Sequence, residues 1–221
     1  QFSIIATSDI HGHTERFSQL AQMISKRQPA LLIDNGDFLQ GSHLSYYYDY
    51  ILNNQHPQIE LANALGYDVA VFGNHEFNYP PEKVQSLREA CNFPWRAANI
   101  KDFAKPYFIK EIHGIRIAVV GVVTHFTKLW DEGNMIQHLH FEQAFETAKN
   151  TVKYVREVEK AQFVILSYHG GFERDLHSGN QIDLEHGENE GYRMLYEIEG
   201  IDVFITGHQH LEAATKINGS S

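Results

Sequence analysis

The sequence predicts a layered α/β domain. Short runs rich in Val, Ile and Leu alternate with amphipathic segments of helical period. Five of the apolar runs stop abruptly in clusters of Asp, Asn, His and Gly. No repeat, low-complexity tract or linker divides the 221 residues, so one domain over 1–221 is expected. A domain of that size buries roughly 70% of the surface its unfolded chain exposes.

Taken in order, strands are expected at Phe2–Ser8, Ala30–Asp34, Val69–Gly73, Ile115–Val123, Phe163–Tyr168 and Asp202–Thr206. A helix over Glu15–Arg27 would turn Phe17, Leu20, Ala21 and Ile24 inward. A longer helix over Phe141–Lys160 repeats Phe141, Ala144, Phe145, Ala148, Val152 and Val155 at helical spacing. Ile109 to Ile117 reads as a hairpin turning at His113-Gly114. Gly170 to Gly191 is polar and weakly periodic and reads as a long loop; loops of that length in compact domains are usually functional or mobile.

Composition narrows the function classes. Net charge is −10 with His neutral, which argues against a binder of nucleic-acid duplexes. An acidic chain that handles phosphate needs local positive charge, and metal ions supply it. No apolar run is long enough to span a membrane. The single Cys91 excludes an internal disulfide and reads as a buried small hydrophobe. Fourteen His residues are many for this length; His43, His56, His113 and His138 are expected in turns or on exposed surface.

The strand ends carry the chemistry. Ile4-Ile5-Ala6-Thr7-Ser8 runs into Asp9-Ile10-His11-Gly12, and Leu31-Leu32-Ile33 into Asp34-Asn35-Gly36-Asp37. Val69-Ala70-Val71-Phe72 runs into Gly73-Asn74-His75-Glu76. Phe163 to Leu166 leads to His169-Gly170-Gly171, and Val203 to Thr206 leads to Gly207-His208-Gln209-His210. Ligands of open α/β sheets sit outside the carboxyl ends of the strands, so these five sets can converge. Asp9/His11 and His208/His210 are i, i+2 pairs that extended backbone projects to one side. Carboxylate, amide and imidazole donors without thiolate suit Mn, Fe(II), Zn or Co. Asp37, with two oxygens, is placed to bridge two such ions about 3.5–4 Å apart. One strand-terminal His alone is more often a satisfied loop residue; five ordered clusters are not read that way.

Asp9-x-His11, Gly36-Asp37, Gly73-Asn74-His75-Glu76, His169 and Gly207-His208-x-His210, as an ordered set, resemble the calcineurin-type metallophosphoesterase superfamily. Asp37-Phe-Leu-Gln-Gly-Ser42, Ala97-Ala-Asn-Ile100 and Glu188-Asn189 are similar to its branch of 5′-nucleotidases and 2′,3′-cyclic-nucleotide 2′-phosphodiesterases. The resemblance implies an αββα sandwich and two divalent metal ions. Asp9, His11 and His210 would hold one ion, Asn74, His169 and His208 the other, and Asp37 both. It further implies water activated by the ions attacking phosphorus in line, with His75 facing the phosphate as a catalytic residue. The substrate expected is a nucleotide or another small phosphate ester.

At Asn78 the 5′-nucleotidase pattern has Asp. A neutral Asn orients His75 but does not stabilise imidazolium by charge, and His75-Glu-Phe-Asn-Tyr79 resembles the cyclic-phosphodiesterase branch more closely. The alternative reading is a metal-binding scaffold or fragment that has lost turnover. His125 is expected outside the ligand set and Trp130 in a loop packed over the core. Tyr46-Tyr47-Tyr48 read as packing and surface aromatics, His177 and His186 as loop residues, and Glu188-Asn189 as the cap of the next helix.

The chain opens on Gln1 and closes at Ser221, soon after His210, with Leu211–Ile217 as a candidate strand turning at Asn218-Gly219. A fragment truncated at its C-terminal end is expected, from which the C-terminal nucleotide-binding domain of the parent protein is missing. Branch relatives are often secreted or wall-attached, and cytoplasmic members carry the same motifs, so the compartment is not legible.

Overall fold

The computed structural model describes residues 2–52, 56–130, 134–184 and 186–216. Its strands and helices follow in chain order. They are β1 (Ile4–Thr7), α1 (Phe17–Arg27), β2 (Leu31–Asp34), α2 (His43–Tyr46) with a π-helical turn over Tyr47–Leu52, α3 (Pro57–Leu65), β3 (Val69–Val71), a 3₁₀ turn His75–Asn78 and α4 (Pro81–Ala90). After them come β4 (Trp95–Arg96), β5 (Ile100–Lys101), β6 (Tyr107–Ile112), β7 (Ile115–Val123), α5 (Thr127–Trp130), α6 (Asn134–Gln137), β8 (His140–Phe141), α7 (Ala144–Glu157), β9 (Phe163–His169), α8 (Gly191–Glu197) and β10 (Val203–Thr206).

Two four-stranded sheets form the middle. One runs β1-β2-β3-β4, all parallel; the other runs β10-β9-β7-β6, parallel except for the β6–β7 hairpin. The central strands β2, β3, β7 and β9 read as nearly continuous apolar runs because both of their faces are covered. Alternation sorts the side chains: Leu31, Ile33 and Val69 meet Ile117, Val119 and Ile165 between the sheets. Leu32 and Ala70 face outward onto Phe17, Ile59, Ala62, Val84 and Leu87 of α1, α3 and α4. Val120, Val122, Val164 and Leu166 face the other way onto Ala144, Phe145, Ala148, Val152 and Val155 of α7 and Met194 of α8. This is the expected αββα layering.

The strand expectations hold within one or two residues at each end. The hairpin turns at His113 and Gly114, whose φ values of 51° and 77° give the pair of left-handed residues a two-residue hairpin prefers. Four expectations need correction. Phe141 belongs to β8, which pairs antiparallel with β5 (Ile100 opposite Phe141), so the long helix starts at Ala144. His56 is fully buried, and its Nδ1 accepts the Gln58 N–H as the N-cap of α3. Cys91 is half-buried at the C-cap of α4. Residues 211–216 form no strand, and Asn218-Gly219 lies outside the described residues.

Both sheets present their carboxyl ends at one edge. Asn35, just past β2, ties them together: its Oδ1 accepts from Ser167 Oγ, and its carbonyl accepts from His169 Nδ1 at 2.7 Å. The metal-ligand candidates of the two sheets are thereby set against each other.

Candidate metal centre

Seven side chains meet at that edge. Asp9, His11 and His210 bring ligand atoms within 4.8 Å of one another, as do Asp37, His169 and His208. Asn74 joins the second set, its Oδ1 2.9 Å from His208 Nδ1 and 3.2 Å from His169 Nε2. Asp37 lies between the sets: Oδ2 is 3.1 Å from His169 Nε2 and 3.8 Å from His11 Nε2, and Oδ1 accepts the His75 N–H at 2.8 Å.

Whether these residues suit cations can be judged from their hydrogen bonds. His11 Nδ1 donates to the Gln40 carbonyl (2.8 Å) and His169 Nδ1 to that of Asn35 (2.7 Å), so Nε2 is the nitrogen each ring turns inward: a lone pair for a bound cation, or, on metal-free His169, the seat of the proton it shares with Asp37. His11 Nε2 faces His210 Nε2 at 3.0 Å, and His169 Nε2 faces the carbonyl oxygen of Asn74. Acceptors converging on acceptors are unfavourable unless positive charge sits among them. The backbone tells the same story. Asp9, His11, Asp37, His208 and His210 all hold positive φ, between 52° and 73°, a conformation costing L-residues energy and concentrated at functional sites. The set fits divalent metals.

The seams around the ligands are tight. A Cβ on Gly73 would run into Asp37 Oδ1 and the Asp37 backbone nitrogen, so Asn74 and Asp37 approach only because residue 73 lacks a side chain. Glu76, 2% exposed, is a site residue to which the sequence motif alone assigns no role. Its Oε2 accepts the N–H groups of Asp37 (2.9 Å) and Gly73 (2.8 Å), and its Oε1 those of Phe38 (2.8 Å) and Leu39 (3.3 Å). One carboxylate thus ties the loop after β2 to the loop after β3. A Glu directly after Asn-His in a buried strand-end turn was the available signal.

His75 borders the cluster, its ring edge-on to that of His11 at 5.2 Å. Its Nδ1 donates to Asn78 Oδ1 at 2.6 Å. His75 can also be grouped with His11 and Asp37 within 4.8 Å, so geometry alone admits it as a third ligand there. His125 lies outside the cluster, half-buried, with Nδ1 accepting the Ala144 N–H and facing Glu190 at 3.8 Å; burial lowers its pKa. His177 is exposed, and His186 stacks on Phe126 at 4.8 Å. Tyr46 and Tyr47 are exposed surface aromatics. Two expectations fail here. Trp130 does not pack over the core: 45% exposed, it stacks on His208. Glu188 and Asn189 do not cap α8, which starts without a side-chain cap; Glu188 Oε1 lies 3.2 Å from His208 Nε2, and Asn189 Oδ1 accepts the Gly171 N–H.

The buried charges give a pH signature for the metal-free protein. Burial acts to lower the pKa of His169, but the charge of Asp37 and its hydrogen bond win, raising it to about 9. Burial acts to raise Asp37, yet His169 beside it holds that carboxyl well below the usual carboxylate range. His169, raised from 6.5, contributes stability fully below pH 6.5 and loses it as pH climbs through about 9. Asp37, depressed from 3.8, contributes above that value and loses it on acidification. The chelated protein should therefore show a melting temperature that falls between pH 6.5 and 9, with Mn²⁺ reversing the loss at the alkaline end. A flat profile in thermal melts would refute the His169–Asp37 ion pair.

With the geometry in place, comparisons with known proteins give its class. The calcineurin-like phosphoesterase model matches residues 2–212, and the chain belongs to this family of metal-dependent phosphoesterases. It is 30% identical to the trifunctional nucleotide phosphoesterase YfkN of Bacillus subtilis, over 94% of this chain and 16% of that protein. It is 29% identical to a 2′,3′-cyclic-nucleotide 2′-phosphodiesterase/3′-nucleotidase of Salmonella typhimurium, over 94% of this chain and 36% of that one. A Staphylococcus aureus structure assigned as a 5′-nucleotidase superposes with a TM-score of 0.87 at 32% identity, over 96% of this chain and 46% of its partner. The chain thus spans less than half the length of these relatives. Among the described residues, no helix is long and apolar enough to cross a membrane.

Proposed function

We propose that this chain hydrolyses phosphate esters of nucleotides with two divalent ions, and that cyclic 2′,3′-nucleotides are its preferred class. The observation carrying the reading is the placement of Asp37 Oδ2 between two ligand sets, Asp9/His11/His210 and Asn74/His169/His208. Ions bound there would activate the attacking water and neutralise charge on the phosphoryl oxygens. The protein's own residues do the rest. His11 and His169 are locked by backbone carbonyls so that their lone pairs stay directed inward. Asp37 is fixed by the His75 N–H and, through its own backbone, by Glu76. Asn78 holds the His75 ring by Nδ1, leaving Nε2 to face the phosphate, where the imidazolium form would give its Nε2 proton to the leaving oxygen and return to the neutral ring.

The names of the relatives support the nucleotide class, and neutral Asn78 supports the cyclic branch within it. The reading assigns 1–221 as the catalytic domain and leaves base selection to a C-terminal domain of a parent chain, as the resemblance implies. Initial rates with Mn²⁺ on adenosine 2′,3′-cyclic phosphate and adenosine 5′-monophosphate test it. The cyclic diester should turn over faster. A monoester rate higher by tenfold would move the chain to the 5′-nucleotidase branch, and no turnover of either would end the nucleotide assignment.

A further inference from the structure

Four imidazoles belong to the two ligand sets, and two of them, His11 and His169, are locked by backbone carbonyls. His208 has no such lock. Its Nε2 lies 3.2 Å from Glu188 Oε1, and its ring face lies on the indole of Trp130, centroids 5.2 Å apart and planes 18° from parallel. The His169 ring closes the opposite quarter edge-on at 5.7 Å.

We propose that Glu188 and Trp130 are positioning residues that clamp His208 from two sides, fixing Nδ1 as the nitrogen it offers to a divalent cation. The proposal rests on the two-ion reading above. A carboxylate beside Nε2 selects the tautomer with the proton there, because a charge-assisted N–H···O⁻ bond outweighs one to a neutral amide. Nδ1 is then a bare lone pair, 2.9 Å from Asn74 Oδ1, and the two acceptors together make a cation seat. The indole blocks tilting of the ring out of that plane.

Glu188 is itself held in place. Its carbonyl accepts from Thr124 Oγ1 (2.7 Å) and Tyr168 Oη (3.1 Å), two fully buried residues at the ends of β7 and β9. Its second oxygen lies 3.7 Å from His186 Nε2, and His186 stacks on Phe126, a ring neighbour of Trp130. The end of α5 and the polar segment before α8 thus reach the same imidazole. This gives the long polar segment between β9 and α8, and an exposed Trp, a common purpose. Carboxylates behind a ligating His orient it and raise its basicity, and losing them typically costs 10–100-fold in metal affinity.

Mn²⁺ binding to the chelator-stripped chain, followed by calorimetry and by tryptophan emission, tests the clamp. Wild type should bind two equivalents. Glu188→Ala and Trp130→Ala should each weaken one of them by about 10-fold or more, the other staying within about threefold. Glu188→Gln and Trp130→Phe should recover part of the loss. The Mn²⁺ concentration for half-maximal ester hydrolysis should rise in the alanine variants by a larger factor than the rate at saturating Mn²⁺ falls. Emission quenching on Mn²⁺ addition should vanish in Trp130→Phe, where buried Trp95 is the remaining indole. Two affinities unchanged in both alanine variants would overturn the clamp. Should either alanine variant fail to fold, Glu188→Gln and Trp130→Leu decide by the same criterion. A wild-type chain that binds no Mn²⁺ would instead sink the two-ion reading itself.

Discussion

Glu76→Ala should cost this protein its active site and much of its stability. The carboxylate accepts four backbone N–H groups, from Asp37, Phe38, Leu39 and Gly73, in a place that water does not reach. Each buried donor left unpaired costs about 1–3 kcal/mol, so the sum is several kcal/mol in a fold whose total stability is about 5–15 kcal/mol. For a domain of this size each kcal/mol lowers the melting temperature by roughly 2–4 °C, and a fall of about 10 °C or more is expected. Activity should drop further than stability, since the loops carrying Asp37 and Asn74 are joined through this residue. Glu76→Gln keeps one acceptor oxygen and should fall between. A melting temperature within 2 °C of wild type in Glu76→Ala would show that the loops hold themselves.

His75→Ala should lower kcat by about 10²–10⁴-fold and leave Mn²⁺ affinity unchanged. The pair of readouts matters because His75 also sits within reach of His11 and Asp37 as a possible ligand. What argues against that role is its own hydrogen bond to Asn78, which holds the ring at the exposed rim, and the fuller ligand sets on either side. Loss of a metal equivalent along with activity would make His75 a ligand and remove it as the proton donor. A rate within threefold of wild type would leave the leaving oxygen without a protein acid.

Most of the layered fold could be read from the sequence because its central strands β2, β3, β7 and β9 are buried on both faces and its longest helix keeps a strict apolar stripe. Ala144, Phe145, Ala148, Val152 and Val155, named from periodicity, are the residues α7 buries. Phe141 continued that stripe by coincidence, and only its pairing with Ile100 shows it to be a strand residue. The ligand candidates were legible for a different reason: each closes an apolar run, and the parallel topology sends every such end to one edge. What stayed hidden was contact between segments distant in sequence. The Asn-His-Glu turn marks Glu76 as an acid at a buried strand end but does not say that its partners lie in the loop after β2, and nothing near Trp130 or Glu188 points to His208 across 78 and 20 residues, respectively. His56 was misplaced because a polar residue before Pro57 looks like a turn, and its burial depends on the helix it caps.

The central claim is that Asp37 joins two metal sites into one phosphoesterase centre. The most direct measurement is hydrolysis of bis(p-nitrophenyl) phosphate and p-nitrophenyl phosphate by purified protein with and without Mn²⁺, beside Asp37→Asn. The structure predicts turnover that requires Mn²⁺, is abolished in the variant and favours the diester. Turnover that ignores Mn²⁺, or that survives Asp37→Asn at the wild-type rate, would contradict it.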